Sequence, residues 1–286
     1  LSLVTISIYT HCKGEMLPCA MRDKVEDYKS YILTLLFFKR LSDNYSWEIE
    51  QNITEFKQQF GTEPNEKQLA MIIAKKHEFM IPEGYFWEDV RQANPDKKND
   101  VLNQAVNQIA EENPSLKGII NTVRWNEPSP DGSGGKKLHP EILTLLISYL
   151  DAVDLSNKNV SVDILGDAYE YLIKRFADEN KGGTMAGQFY TPQEIVDIIV
   201  GYLKPFSGAT VYDPTCGSGG FLIKSAKFIK QQGLEVKRLR LFGQEDVWNT
   251  WAIASINMML HGLAAQIKKG DTLRDLSLQK KIIRLI

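Results

Sequence analysis

Apolar residues recur at three- and four-residue spacing through the first half of the chain and give way to short β-type runs in the second. From Asp27 to about Leu155 the pattern is helical. Tyr28, Tyr31, Ile32, Leu35, Leu36 and Phe38 recur with Lys29, Lys39 and Arg40 among them, which predicts a buried amphipathic helix. Further helices are predicted at Glu66–His77, Asp100–Asn113 and Pro140–Leu150, separated by breaker-rich stretches at Ile81–Gly84, Asn94–Asn99 and Pro128–Gly135. The Gly/Ser/Pro run Ser129–Gly135 reads as a surface loop within one domain, since helical pattern resumes on both sides.

After Gly187 strands alternate with helices, the signature of a parallel α/β sheet. Strands are predicted at Ala209–Asp213, Arg240–Glu245 and Gln266–Asp271, with helices at Pro192–Leu203, Gly220–Gln231 and Trp248–Leu260. No internal repeat and no low-complexity tract interrupts this order.

Composition narrows the class. The chain has 286 residues, room for about two ordinary domains, and 43% of them are hydrophobic, enough to build real cores. No window approaches the ~18 unbroken apolar residues of a membrane-spanning helix. The apolar opening Leu1–Thr10 lacks a preceding basic stretch and a small-residue cleavage site, so residues 1–20 read as a leader or disordered segment, not a signal peptide. Cys12, Cys19 and Cys216 are an odd set without C-x-x-C spacing. That argues against a disulfide framework and against a metal site, and fits a reducing cytoplasm. A net charge of −2 provides no global field to draw in DNA. It suits a subunit that borrows its DNA grip from a partner, and equally an ordinary metabolic enzyme.

The sharpest local feature is Val211-Tyr212-Asp213-Pro214-Thr215-Cys216-Gly217-Ser218-Gly219-Gly220-Phe221, a strand ending in an acid, a glycine turn and a helix start. Such a turn lets a ligand approach the backbone, and the helix N-terminus offers unpaired N–H groups; adenosine-like cofactors bind at such places. The dinucleotide motif G-x-G-x-x-G fails because Leu222 stands where its third glycine would fall, which disfavours a nicotinamide dehydrogenase. A plain strand-to-helix turn is the bland competitor, though a turn alone rarely needs three glycines plus a strand-terminal acid.

The second strand ends in Gly243-Gln244-Glu245-Asp246, where Glu245 can accept ribose hydroxyls. An acid at a strand end is usually only solvated, so Glu245 gains weight by following the glycine turn. The third ends in Gly270-Asp271-Thr272-Leu273, where Asp271 could accept from an exocyclic amine or simply form a turn. Upstream, Gly187-Gln188-Phe189-Tyr190 precedes Thr191, Pro192 and Glu194, which read as a capping box with proline at the first helical position. The Gly/aromatic loop can cradle a carboxylate or merely staple the helix.

Gly187–Pro192 followed by Asp213–Phe221 resembles the cofactor motifs of amino-type DNA methyltransferases. Tyr28–Asp43, Asn113–Gly118, Asp163–Ala177 and Trp251–Gly262 resemble blocks of the modification subunit of type I restriction-modification systems. The likeness runs from about Met21 to Asp275. It implies an α/β protein: a helical N-terminal domain over 21–160, then an incomplete Rossmann-like S-adenosylmethionine-dependent methyltransferase domain over 161–286.

The same resemblance implies site-specific DNA adenine N6-methylation in the cytoplasm. Its partners would be double-stranded DNA, a specificity subunit, a second modification subunit and a restriction subunit, with no membrane. It assigns Gly187, Gln188, Phe189, Tyr190 and Thr191 to the methionine end of S-adenosyl-L-methionine. Asp213, Thr215, Cys216, Gly217, Ser218 and Gly219 would form the pocket floor, Glu245 would take the ribose, and Asp271 with Thr272 would lie beside the adenine.

Family members hold the flipped target adenine with an Asn-Pro-Pro-aromatic motif. These residues contain no Pro-Pro pair, and Leu276–Ile286 does not resemble the family. No catalytic residue is therefore assigned, and the chain alone is expected to be inactive. The alternative is a non-catalytic remnant that binds cofactor and partners. In the family fold the Asp213 strand is central, so an unpaired apolar strand edge is also expected.

Overall fold

The computed structural model describes residues 25–73, 77–130, 135–178 and 191–275. It divides into two compact units, one comprising Thr34–Ser161 and the other running from Val162 onward together with the described residues before Thr34. Among the described residues no helix is long and apolar enough to cross a membrane.

The Thr34–Ser161 unit is helical. It contains most of α1 (Val25–Phe60), then α2 (Glu66–Ile73), α3 (Trp87–Gln92), α4 (Lys98–Glu112) and α5 (Pro140–Asp151). Leu35, Leu36, Phe37 and Phe38 on α1 are all buried, so this stretch is interior on every side and not a stripe facing one neighbour. Lys39 and Arg40, which follow it, are buried too, and Asp43 is partly buried beside them; all three have partners. Arg40 donates to the carbonyls of Leu155 and Val160 and to Asn157 Oδ1. Asp43 accepts from the Leu155 N–H at 2.8 Å while pairing with Lys39. The charges that interrupt the apolar pattern of α1 thus fix the segment after α5, because buried peptide groups left unpaired are costly.

Two boundaries differ from expectation. His77 lies outside α2, where its Nδ1 is 2.8 Å from Glu48 Oε2 and its ring packs edge-on against Tyr45. Helix α4 starts at Lys98 and stops at Glu112, because Pro114 disfavours helical backbone before it. The Asn113 side chain then bonds both the N–H and carbonyl of Met80. The loop expected at Ser129–Gly135 lies partly outside the described residues, and its ends meet in a Ser129 N–H to Gly135 carbonyl bond of 2.9 Å.

The other unit holds α6 (Val162–Asp178), α7 (Gln193–Leu203), β1 (Thr210–Asp213), α8 (Gly220–Gln231), β2 (Arg240–Glu245), α9 (Trp248–Leu260) and β3 (Ala265–Lys269). The three strands form a parallel sheet in the order β1-β2-β3. Asp213 sits opposite Gly243, and Glu245 opposite Lys269. The register therefore gathers the ends carrying Asp213, Glu245 and Asp271 along one carboxyl edge. Leu222, Ile223, Ala226 and Ile229 of α8 pack with Leu241 and with Ala254 and Met258 of α9 to form the core. Lysines on α8 tie it to its neighbours: Lys224 to Asp197 on α7, and Lys227 to Asp167 and Glu170 on α6.

Helix α7 corrects a detail of the sequence reading. Pro192 is the N-cap, with extended backbone (ψ 137°) and no side-chain cap bond, so Thr191 and Glu194 do not form a capping box. The Pro192 carbonyl instead accepts from Ile195 and Val196. Val196 and Val200 are buried, whereas Ile198 is 72% and Tyr202 86% exposed, with Ile195 and Leu203 beside them. No described strand pairs with the outer edge of β1.

A contiguous apolar patch of this kind promotes association in water. The 286-residue chain alone should self-associate in sedimentation velocity, and the double substitution Ile198→Lys, Tyr202→Lys should shift it toward monomer. A monodisperse, stable unsubstituted monomer would contradict that expectation.

Candidate cofactor site at the carboxyl edge of the sheet

The turn between β1 and α8 has the backbone its glycines foretell. Gly217 (φ 52°) and Gly219 (φ 88°) are left-handed, a conformation that costs other residues roughly 1–2 kcal/mol. A Cβ on Gly219 would also come within 2.5 Å of Met258 Cε. Gly243 on β2 serves the same turn from below, since a Cβ there would meet Cys216 Sγ at 2.9 Å. Cys216 donates its N–H to the Gln244 carbonyl at 2.9 Å and buries its side chain in the core. It borders the turn through backbone alone, and burial pushes its thiol well up, making it a packing residue and not a nucleophile.

The acids are placed differently from one another. Asp213 is buried; its Oδ1 accepts from the Thr215 N–H at 3.1 Å, and its Oδ2 has no partner among the described residues. Burial raises its pKa, and the neighbouring Glu245 charge raises it further, against the Thr215 N–H. Glu245 accepts from the Gly217 N–H at 3.1 Å through Oε2 and from Val247 at 2.8 Å through Oε1. Asp271 is turned into its own loop, accepting from the Leu273 N–H and pairing with Arg274. Thr272 donates its hydroxyl to the Pro214 carbonyl, closing the β3 loop onto the glycine turn.

The structure thus brings together Asp213, Thr215, Cys216, Gly217, Ser218, Gly219, Glu245 and Thr272, with Asp271 at the rim. Thr191 is exposed at the start of α7, and Gly187, Gln188, Phe189 and Tyr190 lie outside the described residues. Sequence reasoning did not single out the buried polar residues behind the turn. Gln244 is fully buried, accepts from the Tyr212 hydroxyl at 3.2 Å and donates to the Asp275 carbonyl at 3.0 Å. Asn257, on α9, donates to the Ser218 carbonyl at 2.9 Å. The available signal was one amide in a run, Ala252–Leu260, whose only other polar residue is Ser255.

Asp167, Glu170 and His261 also gather their ligand atoms within 4.8 Å of one another. The Lys227 ammonium, 2.7 Å from Asp167 and 2.8 Å from Glu170, already supplies the cation there.

Burial holds the Asp213 carboxyl above its ordinary range. Its contribution to stability is favourable at low pH and is lost as pH rises through that raised value. At pH 7 the buried, half-satisfied carboxyl is a cost to folding. Asp213→Asn should therefore raise the thermal midpoint by about 2–4 °C at pH 7, the shift expected for roughly 1 kcal/mol in a domain of this size. A lowered midpoint would show that the charge holds the fold together.

Residues 18–150 match a family model described as the HsdM N-terminal domain, and residues 160–283 one described as N-6 DNA Methylase. The type I restriction enzyme MjaIX methylase subunit of Methanocaldococcus jannaschii is 25% identical over 267 residues, 88% of this chain and 45% of that protein. The MjaVIII methylase subunit of the same organism is 32% identical over 253 residues, 86% of this chain and 40% of that protein. The chain spans less than half the length of these curated relatives. A solved type I restriction-modification methyltransferase subunit from Streptococcus thermophilus superposes with a TM-score of 0.71 at 22% identity, covering 95% of this chain and 59% of that one. The likeness shows the fold: a helical N-terminal domain followed by a methyltransferase-type α/β domain.

Proposed function

From the premise that this chain belongs to the methylase-subunit family of type I restriction-modification systems, we propose that its α/β unit binds S-adenosyl-L-methionine at the glycine turn. The observation that carries this is the unpartnered, buried Oδ2 of Asp213 beside the left-handed glycines. A buried acceptor without a donor is a site awaiting a polar or cationic group. The residues present fit the cofactor. Asp213, Thr215, Cys216, Gly217, Ser218 and Gly219 form the floor, Cys216 by its backbone only. Glu245 accepts the ribose hydroxyls, Asp271 and Thr272 flank the adenine, and Gly187, Gln188, Phe189, Tyr190 and Thr191 serve the methionine end.

Charge discriminates between cofactors. Asp213 and Glu245 give this edge an acidic character that suits a sulfonium and an ammonium, and it would repel the pyrophosphate of a dinucleotide. When bound, S-adenosylmethionine supplies an electrophilic methyl group. The chain's own residues hold and orient the cofactor: the turn admits it against the backbone, and Glu245 fixes the nucleoside. Holding adenine N6 needs an Asn-Pro-Pro-aromatic motif, and no Pro-Pro pair occurs in these residues. Adenine N6-methylation of DNA is accordingly proposed for the protein that carries this motif as well, acting with a specificity subunit, a second modification subunit and a restriction subunit. The 286 residues alone bind cofactor without transferring its methyl group.

Calorimetric titration tests the cofactor reading. S-adenosylmethionine should bind and NAD should not, and Asp213→Ala should weaken binding by at least ~100-fold, the scale of one buried charge-assisted contact. Binding of NAD, or undiminished S-adenosylmethionine binding by the variant, would overturn it.

A further inference from the structure

Behind the glycine turn, one peptide group is pinned at both ends. The carbonyl of Ser218 accepts from Asn257 Nδ2 at 2.9 Å, and the N–H of Gly219 donates to the Cys216 carbonyl at 2.7 Å. These two groups belong to the same peptide plane, the one entering the left-handed Gly219. Asn257 is 1% exposed, comes from the last turn of α9, and its Oδ1 has no hydrogen-bond partner among the described residues. The next residue of that helix, Met258, lies where a Cβ on Gly219 would fall. Two consecutive residues of α9 therefore back the turn, one by a hydrogen bond and one by packing.

A peptide that enters a glycine rotates more readily than one between two residues with side chains, unless it is held. Were this one to flip, the Ser218 carbonyl would leave α9, and the Gly219 N–H would break from Cys216. Because a carbonyl and an N–H carry opposite partial charges, the flip would invert the polarity that the turn presents to a ligand.

We propose that Asn257 is a positioning residue for the cofactor pocket, holding the Ser218–Gly219 peptide with its carbonyl turned into the protein and away from the ligand. Asn257 does not itself touch the ligand. This rests on the reading of the turn as an S-adenosylmethionine site. The role differs from packing alone in needing a donor: any side chain of similar size can fill the space, but only one bearing a hydrogen can hold the carbonyl.

The test compares the full chain with Asn257→Leu and Asn257→Asp. S-adenosylmethionine affinity is measured by calorimetry from pH 5 to 8, and amide hydrogen exchange at Gly219 is followed without ligand. Asn257→Leu should bind 10- to 100-fold more weakly and lose protection at Gly219. Asn257→Asp, ionised, faces the carbonyl with a second acceptor and should bind weakly at pH 8; protonated, it regains a donor, so its affinity relative to the unsubstituted chain should recover toward pH 5. Asp213 and Glu245 are present in both proteins, so their contributions cancel in that ratio. The same holds for His261, the residue just past α9, whose pKa burial drives down to about 4.

Affinity of Asn257→Leu within twofold of the unsubstituted chain, or an Asn257→Asp ratio that does not change with pH, would overturn the proposal. Should Asn257→Leu fail to fold, the pH response of Asn257→Asp decides. Should the unsubstituted chain bind no S-adenosylmethionine, the cofactor reading fails, and Gly219 protection still reports whether Asn257 holds the peptide.

Discussion

The carboxyl edge depends on a single constraint: between Asp213 and Gly220 the chain must turn from a strand into a helix that packs back over the same sheet. Two left-handed residues achieve it, at Gly217 and Gly219. Everything nearby is shaped to that backbone. Gly243 leaves room for Cys216 from the adjacent strand, and Met258 fills the space above Gly219. Glu245 and Thr272 reach from the second and third strand ends to bond the turn's Gly217 N–H and Pro214 carbonyl. Parallel register then does the rest, because equal advance along β1, β2 and β3 places their terminal acids side by side.

Much of this was legible in the sequence, and the reason is local. The strand-acid-glycine-helix order, the strands themselves and the acids at their ends follow from period and turn chemistry, which act over a few residues. β2 matches its expected bounds, and β1 and β3 fall within a residue or two of theirs. One miss is local, and the others arise where distant residues decide. Thr191 and Glu194 have capping-box spacing, yet Pro192 takes the cap because its extended backbone starts the helix one residue later. The direction of the Cys216 side chain was undetermined because it depends on an absent side chain at Gly243 in another strand. Asn257 lies far from the turn in sequence, and no local rule joins an amide in an apolar helix to a carbonyl it will meet only in the folded sheet.

The helical unit shows the same division. Its apolar periodicity announces α1, but the tasks of Lys39, Arg40 and Asp43 are set by the chain around Leu155 and Val160. Charges buried within an apolar helix carry a desolvation cost. Here Arg40 and Asp43 are matched to backbone groups that would otherwise be orphaned, and Lys39 pairs with Asp43, so the same residues that weaken the amphipathic pattern specify where the end of the unit is held.

Stability and binding pull against each other at Asp213. Its carboxyl is buried, its Oδ2 is unpaired and its pKa is raised, all costs to the folded chain without ligand. Such costs persist in folded proteins where a ligand relieves them. The most direct test of that account is ultraviolet cross-linking with methyl-labelled S-adenosylmethionine followed by peptide mapping. The account predicts label confined to peptides that carry the proposed site: the glycine turn and the end of β2, around Thr210–Phe221 and Phe242–Trp251, the Gly187–Thr191 segment and the Asp271–Thr272 loop. Label in the Thr34–Ser161 unit, or spread without preference along the chain, would contradict it.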